Sequence, residues 1–328
     1  MLGLLRTLAV SAALVVCAAG QKSAGCGRNL PDGQQNGGRY NATVGGRRFL
    51  VNVPDDYNKD TPSPLILAFH GGGGSPENHI TVDQLTLQVK SDYPDLSMDI
   101  DDIFYVYPAG SSKAGCEQKN TCDKLYWSVD PDITADDIGF VNSVLDSLED
   151  TYCLDMNRLY AEGKSQGGGL VNKLACDSGV SKRVAAFSPV SGAYYTAVDD
   201  CEPPFEFDLN PFCSPGRDNV PIFAFHGKKD TTIPFDGASK RNRCLPRIPH
   251  WADQWAARDR LSTSPEKSEL TPTTSVFKYG GGLVTLIVDN NLGHVWPATV
   301  KNGDNDGKVG PFDFTPLMLR FFDKKTLS

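Results

Sequence analysis

Short apolar runs recur along this chain, separated by stretches in which apolar positions return every three or four residues. Residues 65–69 (Leu-Ile-Leu-Ala-Phe) are continuously apolar and end in a glycine cluster. Residues 103–107 form a second run, stopped by Pro108, and residues 158–161 a shorter third. Residues 184–187, 221–225 and 283–288 continue the series. Runs apolar on both faces suit strands of a largely parallel sheet covered on both sides. Between residues 41 and 53, Gly45-Gly46 separates two short alternating segments, the pattern of a hairpin. Helical spacing appears over residues 137–152, where Ile138, Val141, Leu145 and Leu148 share a face behind an acidic start. Residues 165–177, closed by Gly179, 251–261 and 316–322 read as further helices. Strands alternating with helices predict an α/β architecture, with a mostly parallel central sheet and helices on both faces. Right-handed crossovers then place the C-terminal strand ends along one edge, where ligands bind.

No internal repeat or Ser/Thr/Pro-rich linker interrupts this pattern, so residues 21–328 are expected to form one domain. Residues 1–20 have the marks of a signal peptide: Arg6, an apolar run over 8–19, and small residues Ala18 and Gly20 at the cleavage position. That run is short for a transmembrane helix. Bulky Val16 argues against lipid attachment at Cys17. Cleavage removes Cys17 from the nine cysteines and leaves Cys26, Cys116, Cys122, Cys153, Cys176, Cys201, Cys213 and Cys244. An even set in an exported chain predicts disulfides. Cys116–Cys122 is the natural local pair and Cys153–Cys176 the next. No cysteine pair has zinc-finger spacing with nearby histidine, so no metal is expected. Asn41-Ala42-Thr43 is a glycan acceptor if the source is eukaryotic.

The formal charge of -8 argues against nucleic acid or an anionic membrane as partner, and a secreted, extracellular monomer is expected. The basic residues Lys240, Arg241, Arg243 and Arg247 near Cys244 read as a solvated loop.

Gly163-Lys164-Ser165-Gln166-Gly167 matches G-x-S-x-G. It follows a strand-like run and opens a helix-like one, the strand–turn–helix setting of a nucleophile elbow. Glycine on both flanks meets the steric demand of a sharp turn. Serine needs a base to take its proton, and in such a fold the order is Ser, acid, His. His294 follows the run at 283–288, whereas His250 lies in a proline-containing basic segment entering a helix; His294 is the expected base. Asp230 follows the run at 221–225 and is the expected acid, with Asp236 its nearest competitor and His226 structural. The His70-Gly71-Gly72-Gly73-Gly74 loop suits backbone donors to an oxyanion. Gly72 and Gln166, the residue after the serine, are the expected pair. A phosphate-cradling role fails for want of a Gly-Lys-Ser/Thr ending.

With these residues the chain resembles the esterase family that contains fungal feruloyl esterases and polyhydroxybutyrate depolymerase-like hydrolases. The likeness rests on His70-Gly71-Gly72-Gly73, Tyr107-Pro108, Trp127, Asp136-Asp137-Ile138-Gly139-Phe140, the serine motif, His226-Gly227-x-x-Asp230 and Gly293-His294-x-Trp296-Pro297. Ala24-Gly25-Cys26-Gly27 is similar to the mature start of secreted members. The resemblance runs over about residues 24–298 and implies the α/β-hydrolase fold, a Ser165–Asp230–His294 triad and no cofactor. It also implies an acyl-enzyme route and a feruloyl (hydroxycinnamoyl) ester of plant cell-wall polysaccharide, or a small aryl ester, as substrate. Polyester depolymerase, acetylxylan esterase and a catalytically silent binding protein are the alternatives. Trp127 and Trp296 are candidates to line a pocket for an aromatic acyl group, with ordinary packing as the competing reading. Lys164 departs from the family, where this position often carries an apolar or small residue.

Overall fold

The computed structural model describes residues 21–113, 123–198 and 201–327. The signal-peptide assignment and the Cys116–Cys122 pair lie outside these residues.

The hairpin is formed by β1 (Arg39–Val44) and β2 (Arg47–Asn52), with Val44 opposite Arg47. Gly45 and Gly46 take φ of 57° and 77°, the double positive φ that a two-residue hairpin turn requires. Asn41 is exposed on β1. The apolar runs become β3 (Ser63–Phe69), β4 (Phe104–Pro108), β5 (Leu154–Lys164), β6 (Ala186–Val190), β7 (Ile222–Gly227) and β12 (Val284–Asp289). In the sheet β4, β3, β5, β6, β7 and β12 lie side by side, parallel throughout. The β1–β2 hairpin extends one edge in antiparallel fashion. A second hairpin, β10 (Glu266–Thr271) and β11 (Thr274–Tyr279), extends the other, while β8 (Ala238–Lys240) and β9 (Arg243–Leu245) pair in a separate short ribbon.

Two expectations shift. β6 begins at Ala186, because residues 180–182 form a single 3₁₀ turn and Val184 packs before the strand starts. β10 carries no apolar alternation, being exposed along nearly its whole length, and so escapes a reading by hydrophobicity.

The helices are α1 (Pro76–Asp83), α2 (Asp137–Thr151), α3 (Gln166–Cys176), α4 (Ile248–Arg258) and α5 (Phe314–Asp323). α2, α3 and α4 cover one face of the sheet through Val141, Leu145, Leu170, Leu174, Trp251 and Trp255. α1 and α5 cover the other through Ile80, Val82, Phe314, Met318 and Phe322. α1 is capped by the Ser75 hydroxyl, which accepts the Asn78 N–H at 3.2 Å, and has proline in its first turn.

Among the described residues three disulfides join Cys26 to Cys153, Cys176 to Cys213 and Cys201 to Cys244. The expected Cys153–Cys176 pair is therefore corrected. Cys153 sits just before β5, where Ser23 N–H donates to Leu154 O at 3.1 Å and brings the N-terminal segment alongside. Cys176 ends α3, where its carbonyl accepts the Ser214 N–H at 3.0 Å. The basic loop is largely engaged with protein: Arg241 pairs with Asp130, Arg247 with Glu206, and Lys240 donates to the Thr232 carbonyl.

Candidate active site

β5 runs directly into α3, and Ser165 is the hinge between them. Its backbone has φ 57° and ψ −116°, a conformation that non-glycine residues rarely adopt. The surrounding hydrogen bonds hold it there. Ser165 N–H donates to Val190 O, and its carbonyl accepts from Gly169 and Ala193 N–H, each at 2.9 Å. A Cβ on Gly167 would lie 2.0 Å from the Phe69 carbonyl oxygen, and one on Gly163 2.6 Å from the Gly167 carbonyl carbon. The flanking glycines are therefore required by backbone-to-backbone contact, and the turn they permit presents Ser165 at the C-terminal edge of the sheet.

Asp230 lies on the loop after β7 and His294 on the loop after β12. The two loops are laced together: Lys229 N–H donates to Leu292 O at 2.9 Å, and a Cβ on Gly227 would strike that same oxygen. Asp230 Oδ2 and His294 Nδ1 lie 2.7 Å apart. Asp230 Oδ1 accepts the N–H groups of Thr232 and Ile233, both at 2.8 Å. His226 Nε2 donates to the Ile233 carbonyl at 2.8 Å and stands 3.3 Å from Asp230 Oδ2. Burial would raise the Asp230 carboxyl, but hydrogen bonds from His226 and His294 outweigh it and hold the group well below the usual carboxylate range. An ionised Asp230 requires His294 to carry its proton on Nδ1, which leaves Nε2 an acceptor. Burial lowers the His294 imidazole below its ordinary value, against the opposing pull of Asp230.

The elbow and the histidine loop are connected twice. Val190 O accepts Ser165 N–H, and the next residue, Ser191, donates its hydroxyl to Val295 O at 3.5 Å. Asp304 pairs with Lys164 and accepts the Trp296 N–H at 2.6 Å.

The glycine-rich loop after β3 passes close to the serine: a Cβ on Gly71 would lie 3.5 Å from Ser165 Cβ. A Cβ on Gly72 would lie 2.5 Å from the Gln166 side chain, so these two expected oxyanion donors are neighbours. Among the described residues the N–H groups of Gly72 and Gln166 have no hydrogen-bond acceptor. The Gln166 side chain is pinned, donating to Asp130 Oδ2 at 3.0 Å and accepting Trp127 N–H at 3.3 Å. His70 fixes the loop from beneath: Nδ1 donates to Gly71 O at 2.8 Å and Nε2 accepts Gly110 N–H at 3.0 Å. Burial pushes its imidazole down to about 3, so it stays neutral.

Trp127 and Trp296 stand elsewhere than expected. Both are fully buried, and each indole N–H is taken internally, by His70 O at 2.8 Å and by Thr315 Oγ1 at 3.0 Å. Neither offers a face to a ligand; Trp127 instead packs edge-on against Phe69 under the glycine loop. A cavity of about 430 Å³ lies beside α3, walled by Asp130, Asn172, Tyr194, Tyr195, Trp255 and Arg258 among others. Ser165 and His294 are not in its walls. His250, on α4, gives its ring nitrogen to Phe207 O at 2.9 Å and has no contact with Asp230. Asp236 is exposed.

No protein-family model matches the sequence. A probable feruloyl esterase C of Aspergillus niger is 27% identical over 220 residues, 66% of each chain. Feruloyl esterase D of Neurospora crassa is 28% identical over 231 residues, 69% of this chain and 68% of that one. The chain thus spans about two thirds of the length of these curated relatives. Among solved structures, an acetyl xylan esterase from Aspergillus awamori superposes with a TM-score of 0.54 at 16% identity, covering 79% of this chain and 94% of that one. A ferulic acid esterase from Anaeromyces mucronatus superposes with a TM-score of 0.51 at 11% identity, covering 91% and 94%. These likenesses carry the fold, that of the α/β-hydrolases.

Proposed function

We propose that this chain, an α/β-hydrolase-fold relative of the fungal feruloyl esterases, hydrolyses feruloyl and related hydroxycinnamoyl esters through an acyl-enzyme on Ser165. The carrying observation is the 2.7 Å contact of His294 Nδ1 with Asp230 Oδ2 on loops tied to the strained Ser165 turn. The relatives supply the acyl group.

His294 Nε2 takes the proton of Ser165 Oγ as that oxygen attacks the ester carbonyl. The carbonyl π-electrons move onto oxygen, where the N–H groups of Gly72 and Gln166 receive the charge; a lost donor of this kind costs about 3–4 kcal/mol. Collapse expels the alcohol of the sugar, which takes the proton back from His294, and leaves feruloyl-Ser165. Water repeats the sequence, releasing the acid and restoring the serine. Asp230 stays ionised and orients the imidazole. No step calls on a metal or cofactor.

The enzyme is proposed to act outside the cell as a monomer on esterified wall polysaccharide. Three disulfides support an oxidising compartment. No helix of the described residues is long and apolar enough to cross a membrane. The deciding experiment compares methyl ferulate, acetylated xylan and polyhydroxybutyrate, with fluorophosphonate labelling of Ser165 in parallel. Turnover of methyl ferulate above the other two is expected. A labelled serine with turnover only on acetylated xylan or on the polyester retains the triad and overturns the acyl preference. No labelling overturns the serine mechanism.

A further inference from the structure

Three side chains with no part in the proposed hydrolysis meet inside the protein, behind the strand that carries Ser165. His79 and Asp83 are one turn apart on α1, a spacing that puts both on one face. Glu162 comes from β5, three residues before the serine. All three are buried, none more than 1% exposed. His79 Nε2 lies 2.9 Å from Glu162 Oε1 and 3.8 Å from Asp83 Oδ2. One donor atom from each residue falls within 4.8 Å of the others.

The use of the carboxylate oxygens is uneven. Asp83 Oδ1 accepts Leu85 N–H at 3.0 Å and the Tyr107 hydroxyl at 3.3 Å. Asp83 Oδ2 and Glu162 Oε2 are buried with no hydrogen-bond partner. A buried polar atom left unpaired is costly, and native interiors hold few of them. Here two occur in one cluster. The charged groups beside the cluster, Lys164 and Asp304, pair with each other and leave it without a counter-ion. Burial raises the Asp83 and Glu162 carboxyls well above the usual carboxylate range.

We propose that His79, Asp83 and Glu162 bind a divalent transition-metal cation that pins α1 to β5. A divalent ion gives both orphaned oxygens a partner and is neutral in charge with two carboxylates. One imidazole and two carboxylates form a donor set suited to zinc or manganese. His79 Nε2 stands 3.8 Å from the orphaned Asp83 Oδ2 and 2.9 Å from Glu162 Oε1, the oxygen beside the orphaned Oε2, spacings that one ion about 2.1 Å from each donor can bridge. Leu85 N–H and Tyr107 O–H hold the far oxygen of Asp83 and turn Oδ2 toward the cluster, the outer-shell support such ligands have. Enclosure on all sides means that the ion enters as the chain folds and contributes to folding. This site is independent of the reaction proposed for Ser165.

The test is made on the whole mature chain. With disulfides intact, it is unfolded in guanidinium and refolded with zinc, with manganese, or with EDTA alone. Metal is measured by mass spectrometry after gel filtration, and melting temperature alongside. The expected result is about one equivalent of one metal and a higher melting temperature than after EDTA, the behaviour of a folding-coupled site. Glu162→Gln keeps the side-chain shape and is expected to hold less than about a tenth of an equivalent, with melting unmoved by metal. His79→Gln serves the same purpose should Glu162→Gln fail to fold. Wild-type protein that refolds equally well with EDTA and carries no metal overturns the proposal in favour of a proton shared by the two carboxyls. Equal metal in a folded variant and wild type overturns it in favour of surface binding.

Discussion

Lys164 and Asp304 form an ion pair between the residue before Ser165 and a loop 140 positions further along the chain. The other oxygen of Asp304 takes the Trp296 N–H, two residues past His294. One carboxylate therefore ties the elbow to the histidine loop. This accounts for a lysine beside the elbow serine: its ammonium is nearly buried but paired.

Asp304→Asn keeps an acceptor for Trp296 but leaves the Lys164 charge without its counter-ion. Stability is expected to fall by about 2 kcal/mol and kcat/KM by about tenfold, since the loops that position serine and imidazole lose a tie. Adding Lys164→Met is expected to recover most of the stability. Denaturant melts of the single and double variants check this, and a double variant weaker than Asp304→Asn alone refutes it.

Ser165→Ala is expected to lower turnover of methyl ferulate by about 10⁴-fold or more while leaving the melting temperature near wild type. Ser165→Gly is equally inactive but relieves a non-glycine φ of 57° and should gain about 1 kcal/mol of stability. A folded Ser165→Ala protein retaining a tenth of wild-type turnover would falsify the nucleophile assignment.

Gly167→Ala places a methyl 2.0 Å from the Phe69 carbonyl oxygen, which belongs to the central sheet and cannot give way cheaply. A loss of about 3 kcal/mol is expected, together with most of the activity, because relief requires α3 to move off β3. Circular dichroism melts and kcat on a soluble aryl ester measure both.

The parts of this molecule visible in its sequence are those set by local demands. The run at 65–69 is apolar on both faces because β3 lies between β4 and β5 under helices on each side. Gly163 and Gly167 stand out because two backbones meet there. Asp230 and His294 each follow an apolar run, which is enough to place them on the same sheet edge. What stayed hidden depends on residues distant in sequence. α1 has almost no amphipathic contrast, since its buried face includes His79 and Asp83. Glu162 gains a partner 83 positions away, and Cys153 pairs 127 positions away rather than with Cys176. For Trp127 and Trp296 the sequence leaves pocket lining and ordinary packing open, because tryptophan beside a reactive residue suits both; their burial and internal hydrogen bonds favour packing.

The Cys26–Cys153 bridge closes a loop of 127 residues and ties the N-terminal segment to the entry of β5. Loop-closure entropy assigns such a crosslink about 4–5 kcal/mol. Replacing both cysteines by serine is expected to lower the denaturation midpoint accordingly, and full reduction to lower it further. The three described bridges occupy six cysteines, and finding all eight as titratable thiols in the denatured, unreduced secreted protein would contradict the crosslinks.

The pH profile separates His294 from His250. His294 must be neutral to accept the serine proton. Its imidazole is lowered by burial, and the hydrogen bond to Asp230 recovers only part of that shift. Protonation of the free enzyme therefore has its midpoint below the ordinary value of about 6.5, and so should the acidic limb of kcat/KM. The sign can be checked with Asp230→Asn. Removing the carboxylate removes the influence that raises the imidazole, so the acidic limb should move further down in pH. Turnover should also drop about 10⁴-fold, because the wrong tautomer is then favoured. His294→Ala should abolish both the limb and most of the activity. His250 is bound to Phe207 O on α4, away from Asp230, and His250→Ala should leave rate and limb alike unchanged. Initial rates on a soluble hydroxycinnamoyl ester between pH 4 and 8 (a window of roughly two units on either side of the imidazole region) provide the comparison. An active His294 variant with its limb intact, beside an inactive His250 variant, reverses the assignment of the base.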